Sequence, residues 1–215
     1  MLVMSDNLKK RMLTVMIGVP IIVLDLYVGG IVLKITLGAL LAVALFEWFS
    51  MSKKAPKRPR FLSLLGFVYI TAGIVSLYWL GEYGFWPIMT LLLCIWASDT
   101  CAYVTGKSFK GPKMSPTISP NKTWSGYIGA LLGPVIVLAV GPQNYEFSTY
   151  ALFGIVIGLV GQSGDLMVSA MKRHVKVKDT GKLFPGHGGV LDRIDALLLA
   201  APVFLAFAEA RMDLI

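Results

Sequence analysis

The chain repeats one pattern, an apolar run of about 20 residues followed by a polar or glycine-rich break. At a helical rise of about 1.5 Å per residue such a run is about 30 Å long, the thickness of a hydrocarbon core. Backbone polar groups in hydrocarbon must be satisfied within the segment, so runs of this kind fold as helices. Seven are predicted, at 12–29, 31–50, 61–80, 84–105, 124–141, 149–171 and 190–209. Hydrophobic residues make up 56% of the chain and charged residues 15%, against about 45–50% and about 25% in soluble domains. The expected fold class is all-α, a polytopic integral membrane helical bundle, with residues 1–215 as one transmembrane domain. LKKRMLTVMIGVP leads into a full-length run with no small-residue cleavage pattern behind it, so it reads as a first span and not as a cleaved signal.

A net charge of +8 in a soluble protein would suggest nucleic acid, but here the basic residues fall between the runs. Seventeen of the 20 lie before the first span, in KKAPKRPR at 53–60, between the fourth and fifth spans, and between the sixth and seventh. The positive-inside rule makes that side cytoplasmic. The N-terminus is then inside, the C-terminus outside, and the membrane expected is the cell's inner (cytoplasmic) membrane.

Acids inside spans need a reason, because Asp at a helix centre costs roughly 2.5–3.5 kcal/mol on insertion scales. Asp99 lies in the fourth span, Asp165 in the sixth, Asp192 and Asp195 at the start of the seventh, and Glu47 at the end of the second. All five fall within a turn or two of the basic side. Gly161, Asp165, Ser169 and Lys172 share one helical face, as do Asp192 and Asp195. One reading is that each acid pairs with a nearby Lys or Arg, Glu47 above all. The other is a divalent-metal site, since Mg²⁺ takes one or two carboxylates plus substrate phosphates. No Cys/His cluster competes: Cys94 and Cys101 share one apolar run and read as buried thiols.

Two basic loops adjoin these acids. Residues 106–124 hold four lysines, two glycines, three prolines and several hydroxyls, too polar to cross and too proline-rich to form one helix. Residues 171–189 place Gly186, Gly188 and Gly189 around His187. Lysines and glycine N–H groups together suit an anion such as phosphate. His187 also has a simpler reading as a loop-organising hydrogen bond, and His174 reads as solvated. TGKS at 105–108 is not a P-loop: Cys101 stands where the motif needs glycine, and a membrane helix precedes it where a strand should. The GxxxG pairs Gly129/Gly133 and Gly154/Gly158 read as helix-packing surfaces.

The stretch SAMKRHVKVKDTGKLFPGHGGVLDRID, 169–195, resembles the signature of the phosphatidate cytidylyltransferase family. Gly164-Asp165-Leu166 fits just before it. A second block at 98–126 fits as well, through Ser98-Asp99, Ala102-Tyr103, Gly106-Lys107, Ser119-Pro120-x-Lys122-Thr123-Trp124 and Gly126. Weaker similarity includes Arg11, Gly29-Gly30 and Glu47-Trp48. Relatives often carry Glu at the position of Ser125 and Ser at that of Ala196, and they have further spans where this chain has only KKAPKRPR, so its N-terminal half is reduced.

The resemblance implies CMP transfer from CTP to phosphatidic acid, giving CDP-diacylglycerol and pyrophosphate. It implies a catalytic set of Asp165, Lys172, Arg173, Asp192, Arg193 and Asp195. Within that set Asp165, Asp192 and Asp195 are expected to hold Mg²⁺, with a second cation left open. Asp99, Lys107, Ser119, Lys122, Thr123, Ser169, Lys178, His187, Gly188 and Gly189 are expected to meet the CTP and phosphatidate phosphates. A homodimer in the lipid bilayer is expected, with no nucleic acid partner. Rivals are a different CTP-dependent lipid cytidylyltransferase, a polyprenol kinase, or an ion-coupled transporter. The HGG-x-x-DR-x-D ending argues against the first two. The absence of an evident repeat and of midplane acids argues against the third.

Overall fold

A computed structural model of the chain describes residues 6–141, 146–181, 183 and 188–210, with backbone alone for 6–15. Seven helices occur among the described residues: α1 (Asp6–Val28), α2 (Gly30–Ser52), α3 (Pro59–Glu82), α4 (Phe85–Phe109), α5 (Trp124–Val140), α6 (Phe147–His174) and α7 (Leu191–Ala210). Each expected span is a helix, and the fold is all-α apart from one hairpin. Four of the helices, α2, α3, α4 and α6, are by themselves long and apolar enough to cross a membrane. Helices α1 and α5 add shorter apolar stretches, 16–28 and 124–140. The class is that of an integral membrane protein.

Connections alternate in length. Gly29 alone separates α1 from α2, and Tyr83-Gly84 separates α3 from α4. The basic connections on the other side are longer, and one has structure of its own. In it β1 (Lys113–Ser115) pairs antiparallel with β2 (Ser119–Thr123), with Lys113 opposite Thr123 and Ser115 opposite Ser119. Residues 106–124 are accordingly neither a span nor one helix. Helix α4 runs on to Phe109, and the proline-rich remainder folds back as the hairpin.

Small residues set the helix spacing. A Cβ on Gly133 would lie 2.6 Å from Ser98 N, and one on Gly129 would lie 2.7 Å from the Cys101 carbonyl oxygen, so α5 lies directly on α4. A Cβ on Gly154 would meet Val135 N at 2.6 Å, and one on Gly158 the Ala130 carbonyl oxygen at 2.8 Å, which brings α6 equally close to α5. Both GxxxG pairs therefore serve packing. The core is the shared interior of α2, α3, α4, α6 and α7, filled by Trp48, Ile70, Leu80, Leu91, Ile157 and Leu198. Large apolar side chains such as Ile35, Phe46, Leu64, Ile136 and Leu152 face outward, as a hydrocarbon solvent requires.

Candidate active site

The hairpin begins the site because it ends on a cap. The Thr123 hydroxyl accepts from Gly126 N at 3.2 Å and starts α5. Ser125 pairs with that hydroxyl at 3.1 Å and donates to the Lys110 carbonyl, tying the hairpin entry to the cap. Lys122, one residue before the cap, is thereby aimed at α6. Its Nζ lies 2.6 Å from Asp165 Oδ2 and donates to Gln162 Oε1 at 2.9 Å. Gln162 in turn donates to Ser98 Oγ at 3.4 Å, and Ser169 donates to Asp165 Oδ1 at 3.2 Å. These residues edge a cleft of about 180 Å³, whose walls include Asp99, Tyr103, Asn121, Lys122, Gln162 and Asp165.

A second pair lies at the α6–α7 junction. Lys172 Nζ is 2.6 Å from Asp192 Oδ1, with the two side chains 12% and 5% exposed. Asp192 Oδ2 accepts from Thr180 N at 2.8 Å and Gly189 N at 3.0 Å, and lies 3.0 Å from the Thr180 hydroxyl, whose single proton it shares with Glu47. Gly188 has φ +85°, and a Cβ there would lie 2.7 Å from Asp192 Oδ2. The glycine turn is therefore shaped around the aspartate carboxylate.

Asp195, one turn further along α7, is buried at 8% exposure. Its Oδ1 accepts from Ala196 N at 2.8 Å, and its carbonyl accepts from the Tyr69 hydroxyl at 2.5 Å. Asp99, Asp165 and Asp195 come from three helices and are close enough to act on one another electrostatically. Arg193 is within such reach of Asp99. Arg173 instead reaches the hairpin, donating to the Ile118 carbonyl at 3.2 Å and the Val177 carbonyl at 3.3 Å.

The expected site residues are thus only partly gathered. Asp99, Lys122, Thr123 and Asp165 line the cleft, with Ser169 behind Asp165; Lys172, Asp192 and Gly189 meet at the junction. Lys107, on the last turn of α4, donates to the Tyr103 hydroxyl at 3.3 Å at the cleft rim. Ser119 opens β2, while Lys178 is exposed beside Asp179. His187 lies outside the described residues.

Among the described residues, no three acidic, His or Cys side chains form a ready-made metal cluster. Asp192 has both carboxylate oxygens engaged by Lys172, Thr180 and Gly189. The remaining carboxylates still offer the hard oxygen donors that suit Mg²⁺, which needs only one or two of them beside substrate phosphates.

Sequence reasoning missed three participants. Gln162 and Thr180 have ordinary polar side chains, and nothing in their spacing marks them. The sequence marks Glu47 as an acid at the right depth and leaves open an ion pair or a share in a metal site. Its carboxylate instead accepts from Val190 N, Leu191 N and the Thr180 hydroxyl.

The helix bundle and the two lysine–aspartate pairs on α6 define an integral membrane protein with paired charges gathered towards one end of its bundle. Residues 55–210 match the cytidylyltransferase family, and the chain belongs to that family. It is 34% identical over 209 residues to a phosphatidate cytidylyltransferase of Rickettsia felis, covering 93% of this chain and 91% of that protein. It is 33% identical over 195 residues to the phosphatidate cytidylyltransferase of Staphylococcus saprophyticus, covering 87% and 75%. It is 43% identical over 131 residues to that of Brucella suis, covering 58% and 47%.

Proposed function

We propose that this protein transfers CMP from CTP to phosphatidic acid, giving CDP-diacylglycerol and pyrophosphate, with the site on the cytoplasmic face of a bacterial inner membrane. The observation that carries the reading is that both lysine–aspartate pairs, Lys122–Asp165 and Lys172–Asp192, hang from the C-terminal half of α6. The family match and the named relatives support the nucleotide and the lipid.

A phosphatidate oxygen attacks the α-phosphorus of CTP, a new P–O bond forms, and the bond to pyrophosphate breaks. The nucleophile is already ionised near neutral pH, so no strong general base is required. Catalysis rests on positioning and charge neutralisation. Lys122 is placed to leave Asp165 for a phosphate entering the cleft. Lys172, fixed by Asp192, presents a localised positive charge at the junction, and the arginines Arg173 and Arg193 flank it. Asp165 and Asp195 would hold Mg²⁺, with Asp99 nearby, and the ion would supply charge neutralisation at the phosphates. The lipid phosphate lies at headgroup level, so site and substrate meet without the lipid leaving the bilayer. The resemblance also supports a homodimer.

The test is incorporation of labelled CTP into lipid by the purified protein with defined acceptors. CDP-diacylglycerol with release of pyrophosphate is expected. Release of a nucleoside diphosphate would mean a kinase and end this reading.

A further inference from the structure

Glu47 lies before the segment that matches the family, 55–210, yet its side chain is built into the junction. It is 5% exposed. Oε1 accepts from Val190 N at 3.0 Å; Oε2 accepts from Leu191 N at 2.9 Å and from the Thr180 hydroxyl at 2.8 Å. Amides at the start of a helix have no partner within it, and a carboxylate placed there is favoured by the helix dipole. Helix α2 thus supplies a carboxylate that caps the start of α7.

The same carboxylate reaches Asp192 through one residue. Thr180 stands between them, its hydroxyl 2.8 Å from Glu47 Oε2 and 3.0 Å from Asp192 Oδ2, its backbone N–H donating to Asp192 at 2.8 Å. The surrounding glycines leave room for this arrangement. A Cβ on Gly181 would lie 2.8 Å from Glu47 Cδ, and one on Gly189 would collide with both Thr180 Oγ1 and the Glu47 carboxylate. Glu47 does not line the cleft.

We infer that Glu47 is a positioning residue for the transfer reaction: through Thr180 and the start of α7 it holds Asp192, and Asp192 holds Lys172 in its working position. The inference rests on the cytidylyltransferase reading above, and it gives α2 a defined task, delivery of one carboxylate.

The test uses the full chain in detergent micelles containing phosphatidic acid. Glu47→Gln keeps the size but offers one acceptor oxygen where two face the α7 amides. A displacement of about 1 Å in a catalytic group can cost up to about a hundredfold. Glu47→Gln is therefore expected to lower kcat by about tenfold or more while KM for CTP stays within about twofold, because the cleft is untouched. Thr180→Val should repeat this split, and Thr180→Ser, which restores the hydroxyl, should recover near-normal kcat. Independently of turnover, hydrogen exchange at the Val190 and Leu191 amides should speed up by about tenfold or more in Glu47→Ala.

Normal kcat in a monodisperse Glu47→Gln protein would overturn the inference. So would equal losses in Thr180→Ser and Thr180→Val, and so would unchanged amide exchange. If Glu47→Gln does not stay monodisperse, the two Thr180 variants decide. A wild-type protein that makes no CDP-diacylglycerol would instead sink the proposed function, while the exchange measurement would still judge the contact itself.

Discussion

Lys172 Nζ sits 2.6 Å from Asp192 Oδ1, joining the last turn of α6 to the first turn of α7. Neither side chain has much solvent, so each charge depends on the other. Removing one partner of a buried pair costs about 3–5 kcal/mol, mostly from the charge left behind. Asp192→Asn should lower the thermal unfolding midpoint in detergent. Adding Lys172→Met, which removes the stranded ammonium, should recover part of that loss, with turnover absent in both. A double variant no more stable than the single one would show that the pair is not what holds this junction.

The Lys122–Asp165 pair should behave differently, because its side chains are 21% and 32% exposed. Pairs of that exposure contribute about 0–1 kcal/mol to stability. Lys122→Gln should therefore melt close to wild type. Turnover should nevertheless fall by about a hundredfold, the loss expected when one charge contact to a transition state is removed. Steady-state kinetics beside a melting curve checks this. A large melting shift with little kinetic change would make Lys122 a structural lysine.

The helices were legible in the sequence because hydrocarbon tolerates no other local structure, and apolar length alone marks them. The GxxxG contacts were legible for a similar reason: small residues four apart can only serve close approach. The hairpin at 113–123 was not, since its strands are three and five residues long and rich in lysine, serine and proline. Apolar alternation, the usual strand signal, is missing there. The acids were found by their depth, but their partners were not. Asp165 is answered by Lys122, 43 residues earlier, and Glu47 by amides more than 140 residues later. Pairings of that range are set by tertiary packing, which leaves no periodic trace in a single chain.

The basic asymmetry predicts an orientation that labelling tests. In a background lacking Cys94 and Cys101, Thr117→Cys lies in the hairpin connection and Glu146→Cys at the start of α6. Only the second should react with an impermeant thiol reagent added to intact cells. The reverse pattern would place the site outside and remove its access to CTP.

The metal proposal predicts a contrast between two aspartates. Asp195 is buried among Asp99 and Asp165, whereas Asp179 is exposed in the loop. Asp195→Asn should stay inserted and monodisperse yet lose about a hundredfold or more in turnover. Raised Mg²⁺ should restore part of it. Asp179→Asn should lose less. Turnover against Mg²⁺ concentration for both variants is the measurement; near-normal Asp195→Asn with unchanged Mg²⁺ dependence would rule this site out.

The central claim is tested most directly by the products. Purified protein in detergent is given CTP labelled at the α-phosphate and phosphatidic acid, with and without Mg²⁺. The account predicts label in CDP-diacylglycerol, an equal yield of pyrophosphate, and no transfer without the metal. Label that stays in a water-soluble nucleoside diphosphate, with a phosphorylated lipid as the other product, would contradict it.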